Sequence, residues 1–228
     1  TTSTTFCTGG NVLLSANTGN GFSYVWNKDA TPISGATTST YSPTVSGSYT
    51  VTVSSNGCSA TSAAKVVTVN ILPTATISTT TSTTFCTGGN VLLSANTGNG
   101  FSYVWNKDAT PISGVTTATY SATASGSYTV IVSSNGCSAT SAAKVVTVNI
   151  LPTATISTTT STTFCTGGNV LLSANTGNGF SYVWNKDATP ISGATTSTYS
   201  PTVSGSYTVT VSSNGCSATS AAKVVTVN

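Results

Sequence analysis

The sequence predicts an all-β chain of three tandem two-sheet sandwich modules with a period of 79 residues. Three observations carry this. The run Phe6-Cys7-Thr8-Gly9-Gly10-Asn11-Val12-Leu13-Leu14 returns at Phe85 and at Phe164, each time 79 residues on, and a fixed period of this size marks an array of like modules. Within each copy, short Val-, Thr- and Tyr-rich runs alternate apolar and polar side chains between Gly, Asn and Pro, and no stretch shows a strong helical period. About seven such runs per copy is the strand number of a two-layer sandwich.

The strands are read in order in copy one. Val12-Leu13-Leu14-Ser15-Ala16 is a strand, closed by the loop Asn17-Thr18-Gly19-Asn20-Gly21. Phe22-Ser23-Tyr24-Val25-Trp26 follows, with Tyr24 and Trp26 on one face. Lys28-Asp29-Ala30-Thr31-Pro32 turns the chain, because proline is confined to edges and turns. A short strand lies near Ser39-Thr40-Tyr41. Ser48-Tyr49-Thr50-Val51-Thr52-Val53 alternates with Tyr49, Val51 and Val53 inward, and Asn56-Gly57 is a hairpin turn. Lys65-Val66-Val67-Thr68-Val69 ends the copy. Thr74-Ala75-Thr76-Ile77-Ser78, after Pro73, fits as the first strand of copy two, and copy one has no equivalent.

Residues 159–228 repeat residues 1–70 letter for letter. Copy two departs at five places: Ala36, Ser39, Pro43, Val45 and Thr52 become Val115, Ala118, Ala122, Ala124 and Ile131. Ile131 is accommodated most easily if position 52 faces outward. The modules are 1–70 (first strand missing), 71–149 with linker 71–73, and 150–228 with linker 150–152. With no initiator Met and a stop at the position equivalent to Asn70 and Asn149, both ends read as cuts in a longer array.

The Trp26 strand followed by Ser46-Gly47-Ser48-Tyr49-Thr50-Val51 resembles the tyrosine-corner region of immunoglobulin-like domains. Val51 and Ala16 stand where the inter-sheet cysteines of those domains would be. Phe-Cys-x-Gly-Gly-x-Val-x-Leu, Tyr-x-Trp, Ser-Gly-Ser-Tyr-Thr-Val and Asn-Gly-Cys-Ser-Ala-Thr-Ser together resemble the Ig-like and PKD-like tandem repeats of large secreted Bacteroidota surface proteins. These include gliding adhesins exported by the type IX pathway. The resemblance implies three tandem immunoglobulin-like β-sandwich modules with Trp26, Tyr49, Trp105, Tyr128, Trp184 and Tyr207 in the core. It also implies a secreted location at the bacterial cell surface.

The residue inventory excludes most chemistry. The chain has six Lys or Arg, three Asp or Glu and no His. A catalytic relay through His is therefore impossible, and one Asp per copy cannot supply a paired-carboxylate site, so no enzyme activity is expected. No cofactor or metal site is expected: two Cys without His make half a zinc site, and one carboxylate is a poor start for calcium. A net charge of +3 is too thin for nucleic acid, and no apolar run is long enough for membrane insertion.

Two cysteines recur per copy: Cys7 and Cys58, Cys86 and Cys137, Cys165 and Cys216. Paired cysteines in small Thr/Ser-rich modules read as disulfides in an extracellular protein. Pairing within a copy is the expected arrangement, because two cysteines per module are self-sufficient. An Ig-like topology argues the other way, since it puts Cys7 and Cys58 at opposite poles. The alternative joins Cys7 to Cys137 and Cys86 to Cys216, leaving Cys58 and Cys165 for further neighbours.

The expected function is an extracellular structural repeat array, the stalk or fibre of a cell-surface adhesin, whose partners are the neighbouring modules of the same chain. Two alternatives stand beside it. One is an array that binds a surface or environmental polysaccharide by avidity through Asn17–Gly21, Phe22 and Asn56-Gly57. The other is a filament subunit that self-associates.

Overall fold

The computed structural model describes residues 3–228, all strand and loop, with no helix among the described residues. The chain divides into two compact units. One contains copy one through Ser78 together with Ser94–Tyr120 and Tyr128–Lys144; the other contains Thr79–Leu93, Ser121–Ser127 and Val145–Asn228.

Among the described residues copy one has eight strands: β1 (Thr5–Cys7), β2 (Leu14–Ser15), β3 (Ser23–Lys28), β4 (Thr31–Pro32), β5 (Thr40–Tyr41), β6 (Gly47–Ser55), β7 (Cys58–Thr61) and β8 (Lys65–Asn70). The larger sheet runs β1-β8-β6-β3-β4, with β7 also on β6, and β2 pairs with β5 in the second sheet. The long strand β6 is the spine. Its early residues pair with β8 (Gly47↔Val67, Tyr49↔Lys65) and its late residues with β7 (Thr52↔Thr61, Ser55↔Cys58). At the handover Ser62 supplies the ladder: its N–H donates to Val51 O and its Oγ accepts from Val51 N–H. No backbone group of Val51 is left unpaired there, as a buried strand requires.

In copy one, two turns place two successive residues at positive φ. Asn56 and Gly57 have φ of 49° and 80°, the left-handed pair that a two-residue hairpin needs. Asp29 and Ala30 have φ of 48° and 64°. The segment expected as a simple turn at Lys28–Pro32 is thus a second two-residue hairpin, with β4 pairing back on β3 (Lys28↔Thr31). Besides β4, two strands were not legible: β7, whose four residues are all exposed, and β1, which pairs in parallel with β8 (Phe6↔Val69).

The alternation in β3 and β6 faces Tyr24, Trp26, Tyr49 and Val51 into one core with Val12, Leu14 and Val67. Trp26 stacks on Tyr41 with centroids 5.9 Å apart, and Tyr41 meets Tyr49 at 5.8 Å. Both polar tips are satisfied: Trp26 Nε1 donates to Thr38 O at 2.9 Å, and Tyr49 Oη donates to Val45 O at 2.9 Å. The second bond is the corner that the Gly47-to-Tyr49 pattern predicts. Burial pushes the Tyr49 phenol above its ordinary pKa, which keeps this donor protonated.

In the second unit, copy three repeats the arrangement. Its large sheet runs Thr163–Phe164, Lys223–Val227, Gly205–Ser213, Ser181–Lys186, Thr189–Pro190, with Cys216–Thr219 on Gly205–Ser213. Its smaller sheet has a third strand, Ile156–Ser157, which pairs with Leu172–Ala174 (Ile156↔Ala174). The equivalent strand of copy two is β9 (Ile77–Ser78), which pairs with Ser94 and Ala95.

Two copy-two substitutions have a visible structural reading. Pro43 lacks an N–H, and β5 stops at Tyr41; with Ala122 in its place the copy-two strand extends over Thr119–Ala122. Thr52 Oγ1 meets Thr61 Oγ1 at 2.9 Å across β6 and β7, and Ile131 replaces that rung with an apolar contact opposite Thr140.

Candidate functional site

No assembly of catalytic groups offers itself as a site, and among the described residues no three His, Cys, Asp or Glu side chains gather as metal ligands. What the sequence repeats most conspicuously, the cysteines, form the distinctive constellation. Cys7 lies at the end of β1 beside Asn70, the end of β8 (Cys7↔Asn70). Cys58 opens β7 opposite Ser55, at the other end of β6. Gly47 to Ser55 is eight strand steps, roughly 27 Å at the usual rise. A disulfide needs Cα atoms within about 7 Å.

The bridges therefore run between repeats. Cys7 bonds Cys137 and Cys86 bonds Cys216, each with Cα atoms 5.7 Å apart and a sequence separation of 130. The pairing within a copy, expected from self-sufficiency, is not formed, and strand direction is the reason. Cys58 and Cys165 are free and exposed.

Each bridge sits in a junction built from the same parts. Thr8 N–H and Oγ1 donate to Asn70 O at 2.9 and 3.1 Å, which fixes the end of β8 beside Cys7. Asn70 Nδ2 then donates to Asn135 O at 2.6 Å, in the Asn-Gly turn that precedes Cys137. In the second unit Thr87 holds Asn149 in the same way, and Asn149 Nδ2 donates to Asn214 O at 2.7 Å. The Asn-Gly turn thus presents both a carbonyl and a cysteine to the preceding repeat. Cys137 and Cys216 are buried. The linker follows at once: Ile71 and Leu72 are exposed, Pro73 is buried, and with Thr74, Phe101 and Asn135 they line a cavity of about 490 Å³.

After the linker, the chain enters the next repeat as its first strand. Asn96 clamps it: Oδ1 accepts from Thr76 N–H at 2.9 Å, and Nδ2 donates to Thr74 O at 3.0 Å. Asn175 does the same for Thr155 and Thr153. In copy three, Ala154 and Ile156 pack on the core. Sequence reasoning missed the role of these asparagines; the only signal was an Asn repeated at the end of the Val12 strand and its equivalents.

Copy one has no such strand among the described residues. Its Asn17 side chain is exposed, and two grooves open on the core. One, about 390 Å³, is lined by Asn17, Phe22, Val53, Ser55 and Cys58; the other, about 480 Å³, by Leu14, Ala16, Asn17, Val51 and Ser62. Of the residues proposed from the sequence for a sugar, Asn17 and Phe22 line one groove, while residues 18–21 and Asn56-Gly57 do not line it; in copy two the counterpart of Asn17, Asn96, holds the first strand.

The six expected core aromatics, Trp26, Tyr49, Trp105, Tyr128, Trp184 and Tyr207, are all buried. Each aspartate pairs with the lysine before it. Lys28 Nζ meets Asp29 Oδ2 at 2.7 Å, and Asp29 Oδ1 accepts from Ser48 N–H at 2.9 Å. The Lys28 hydrogen bond, and then that of Ser48, hold the Asp29 carboxyl below its ordinary pKa. The same bond raises Lys28.

No protein-family model matches the sequence, and no curated protein matches it. Solved structures do. An I-band fragment of titin is 14% identical with a TM-score of 0.57, covering 98% of this chain and 95% of that one. A mutated three-Ig structure of the same titin domains gives 0.56. An ectodomain fragment of ICAM-5 is 12% identical with a TM-score of 0.52, covering 100% of this chain and 75% of that one. The three copies are tandem immunoglobulin-like domains. At these identities the likeness is one of fold. The Ig-like array departs from the usual immunoglobulin plan in its cysteines: Val51 is buried in the core and Ala16 packs against it, where an inter-sheet bridge would lie.

Proposed function

We propose that this Ig-like array is an extracellular spacer, the stalk or fibre segment of a bacterial surface adhesin, and that its work is mechanical. The observation that carries this is the stagger of the disulfides: each one ties a repeat to the next, and the two loops overlap between Cys86 and Cys137. A bridge inside a domain protects that domain alone. A bridge between domains also protects the junction, the place where tension on a string of beads first acts. Closing a loop of 130 residues stabilises by about 5 kcal/mol on the chain-entropy model. Formation of such bridges calls for an oxidising compartment. The near absence of charge, with no His or paired carboxylates, fits a surface that touches no charged ligand and performs no catalysis.

Single-molecule stretching of the 228-residue chain tests the mechanical reading. With both bridges intact the shortest covalent route runs through residues 1–7, 86–137 and 216–228. At about 3.4 Å per residue the fully extended chain reaches roughly 240 Å, and after reduction roughly 770 Å. A chain that reaches the longer limit without reductant carries no covalent protection, and the spacer reading fails.

A further inference from the structure

The two junctions within the chain are copies of one design, and the chain carries the two halves of a third. The forward half of a junction is a cysteine next to an asparagine fixed by a threonine: Cys7 with Asn70 and Thr8, and Cys86 with Asn149 and Thr87. Copy three presents the same set. Thr166 N–H and Oγ1 both donate to Asn228 O at 2.9 Å, and Cys165 is free and exposed.

The receiving half is the Asn-Gly-Cys turn, with Asn135-Gly136 at φ 50° and 79° and Asn214-Gly215 at 49° and 78°. Copy one presents that turn in the same shape, Asn56-Gly57 at 49° and 80°, with Cys58 free and exposed. The hydrogen-bond partners are open too. Asn70 Nδ2 and Asn149 Nδ2 each donate to the carbonyl of the turn they face; the Asn228 backbone N–H donates to Phe164 O, while its side-chain amide and the Asn56 carbonyl make no such bond among the described residues. Both halves are formed before they meet, so joining them costs little rearrangement.

We propose that Cys165 of one molecule and Cys58 of a second copy of this chain close a third junction, so that copies of these 228 residues link head to tail through disulfides. This goes beyond the spacer reading, which needs only the bridges within the chain. The oxidant is a small-molecule disulfide such as oxidised glutathione. The Cys165 thiolate attacks it, forming a mixed disulfide and releasing one glutathione thiolate. The Cys58 thiolate of the second molecule attacks Cys165 Sγ, forming the protein disulfide and releasing the second glutathione thiolate. Two protein thiols are oxidised, one glutathione disulfide is reduced to two thiols, and the protein protons pass to solvent.

This third junction is heterologous: the surface on one molecule differs from the surface it meets on the next, and such contacts generate rings or open filaments. Unselective coupling of two exposed thiols would instead give mixed and symmetric pairs in equal amounts.

Because copies one and three are identical, peptides around Cys58 and Cys216 have the same sequence, and cysteine variants give the cleaner test. Cys58→Ser and Cys165→Ser are made in the full chain and incubated singly and as an equimolar mixture in a glutathione redox buffer. Both positions are exposed, and each variant must still show its Cys7–Cys137 cross-link, which reports that the fold and the spacer reading are intact. On a non-reducing gel the unmodified protein is expected to give a ladder in steps of 22.6 kDa. Each variant alone is expected to stay monomeric. The mixture is expected to stop at dimers, in a yield about tenfold above either variant alone, because exchange lets the complementary contacts select the pairing. Dimerisation of a single variant as efficient as that of the mixture overturns the proposal, as does a mixture that stays monomeric.

Discussion

Copies one and three have the same seventy residues and different cores. Val211, Cys216 and Ser220 are buried in copy three; their counterparts Val53, Cys58 and Ser62 are half-buried or exposed in copy one. The strand after Val12 is shorter in copy one as well, two residues against three. Nothing in the two stretches of sequence accounts for this. The difference is what lies on them: in copy three, Ile156–Ser157 pairs along the edge of the smaller sheet, Ala154 and Ile156 press on the core, and Cys216 is bonded to Cys86. Burial here belongs to the array. A repeat is completed by the linker and first strand that precede it, as expected where each unit cannot bury its hydrophobic face alone.

Paired substitutions at equivalent residues of copies one and three measure the difference. The largest effect is expected at the shared valine. Val211→Ala removes fully buried methyl groups and should cost about 2 kcal/mol, whereas Val53→Ala should cost less than half of that. Calorimetry of the full chain reads both, and equal losses would mean that the two cores are equally complete.

The asparagine clamp comes next. Asn175→Ala frees Thr155 N–H and Thr153 O and should destabilise by about 1 kcal/mol, while Asn17→Ala should be close to neutral in the same melt.

Smaller still, and sharpening the contrast from the other side, is a purely local change. Ala30 and Ala188 both sit at φ 64°, so Ala→Gly at either position should stabilise by about 0.7 kcal/mol, equally in both copies. A midpoint shift confined to one copy would contradict the claim that only strand-facing features differ.

The smallest effect is electrostatic. Asp29 and Asp187 have lowered pKa values, caused first by the hydrogen bond from Lys28 or Lys186 and then by a backbone N–H. Each adds stability above the ordinary carboxylate range, and this is lost as pH falls through the depressed value. The raised Lys28 and Lys186 add stability that is lost as pH rises through their elevated values. All four groups are exposed enough for solvent to screen them, so an acid titration of the melting temperature should show only a shallow slope in this region.

Much of the fold was legible because its strongest signals are local. Period-two alternation faces Tyr49 and Val51 inward, Asn56-Gly57 imposes its own turn, and Gly47-Ser48-Tyr49 carries the corner bond. What failed lacked a local signal. Cys58–Thr61 has no apolar face to betray a strand, and Thr5–Cys7 is held by a parallel partner some sixty residues away. The disulfide pairing expected within a copy failed for a related reason, and the alternative that the Ig-like topology suggested is the one formed. Sequence spacing favours the cysteine within the same repeat, but proximity is set by strand direction, and β6 holds Cys7 and Cys58 at its two ends. The Asn96 clamp was invisible because its partner strand belongs to the linker segment.

Covalent joining of the repeats across their junctions is read from a tryptic digest of the unreduced, thiol-blocked protein. Cleavage after lysine gives two cysteine peptides found once each in the chain, 1–28 with Cys7 and 108–144 with Cys137. The account predicts that these two peptides emerge as one disulfide-linked species. Recovery of 1–28 linked instead to 29–65, through Cys7 and Cys58, would contradict it.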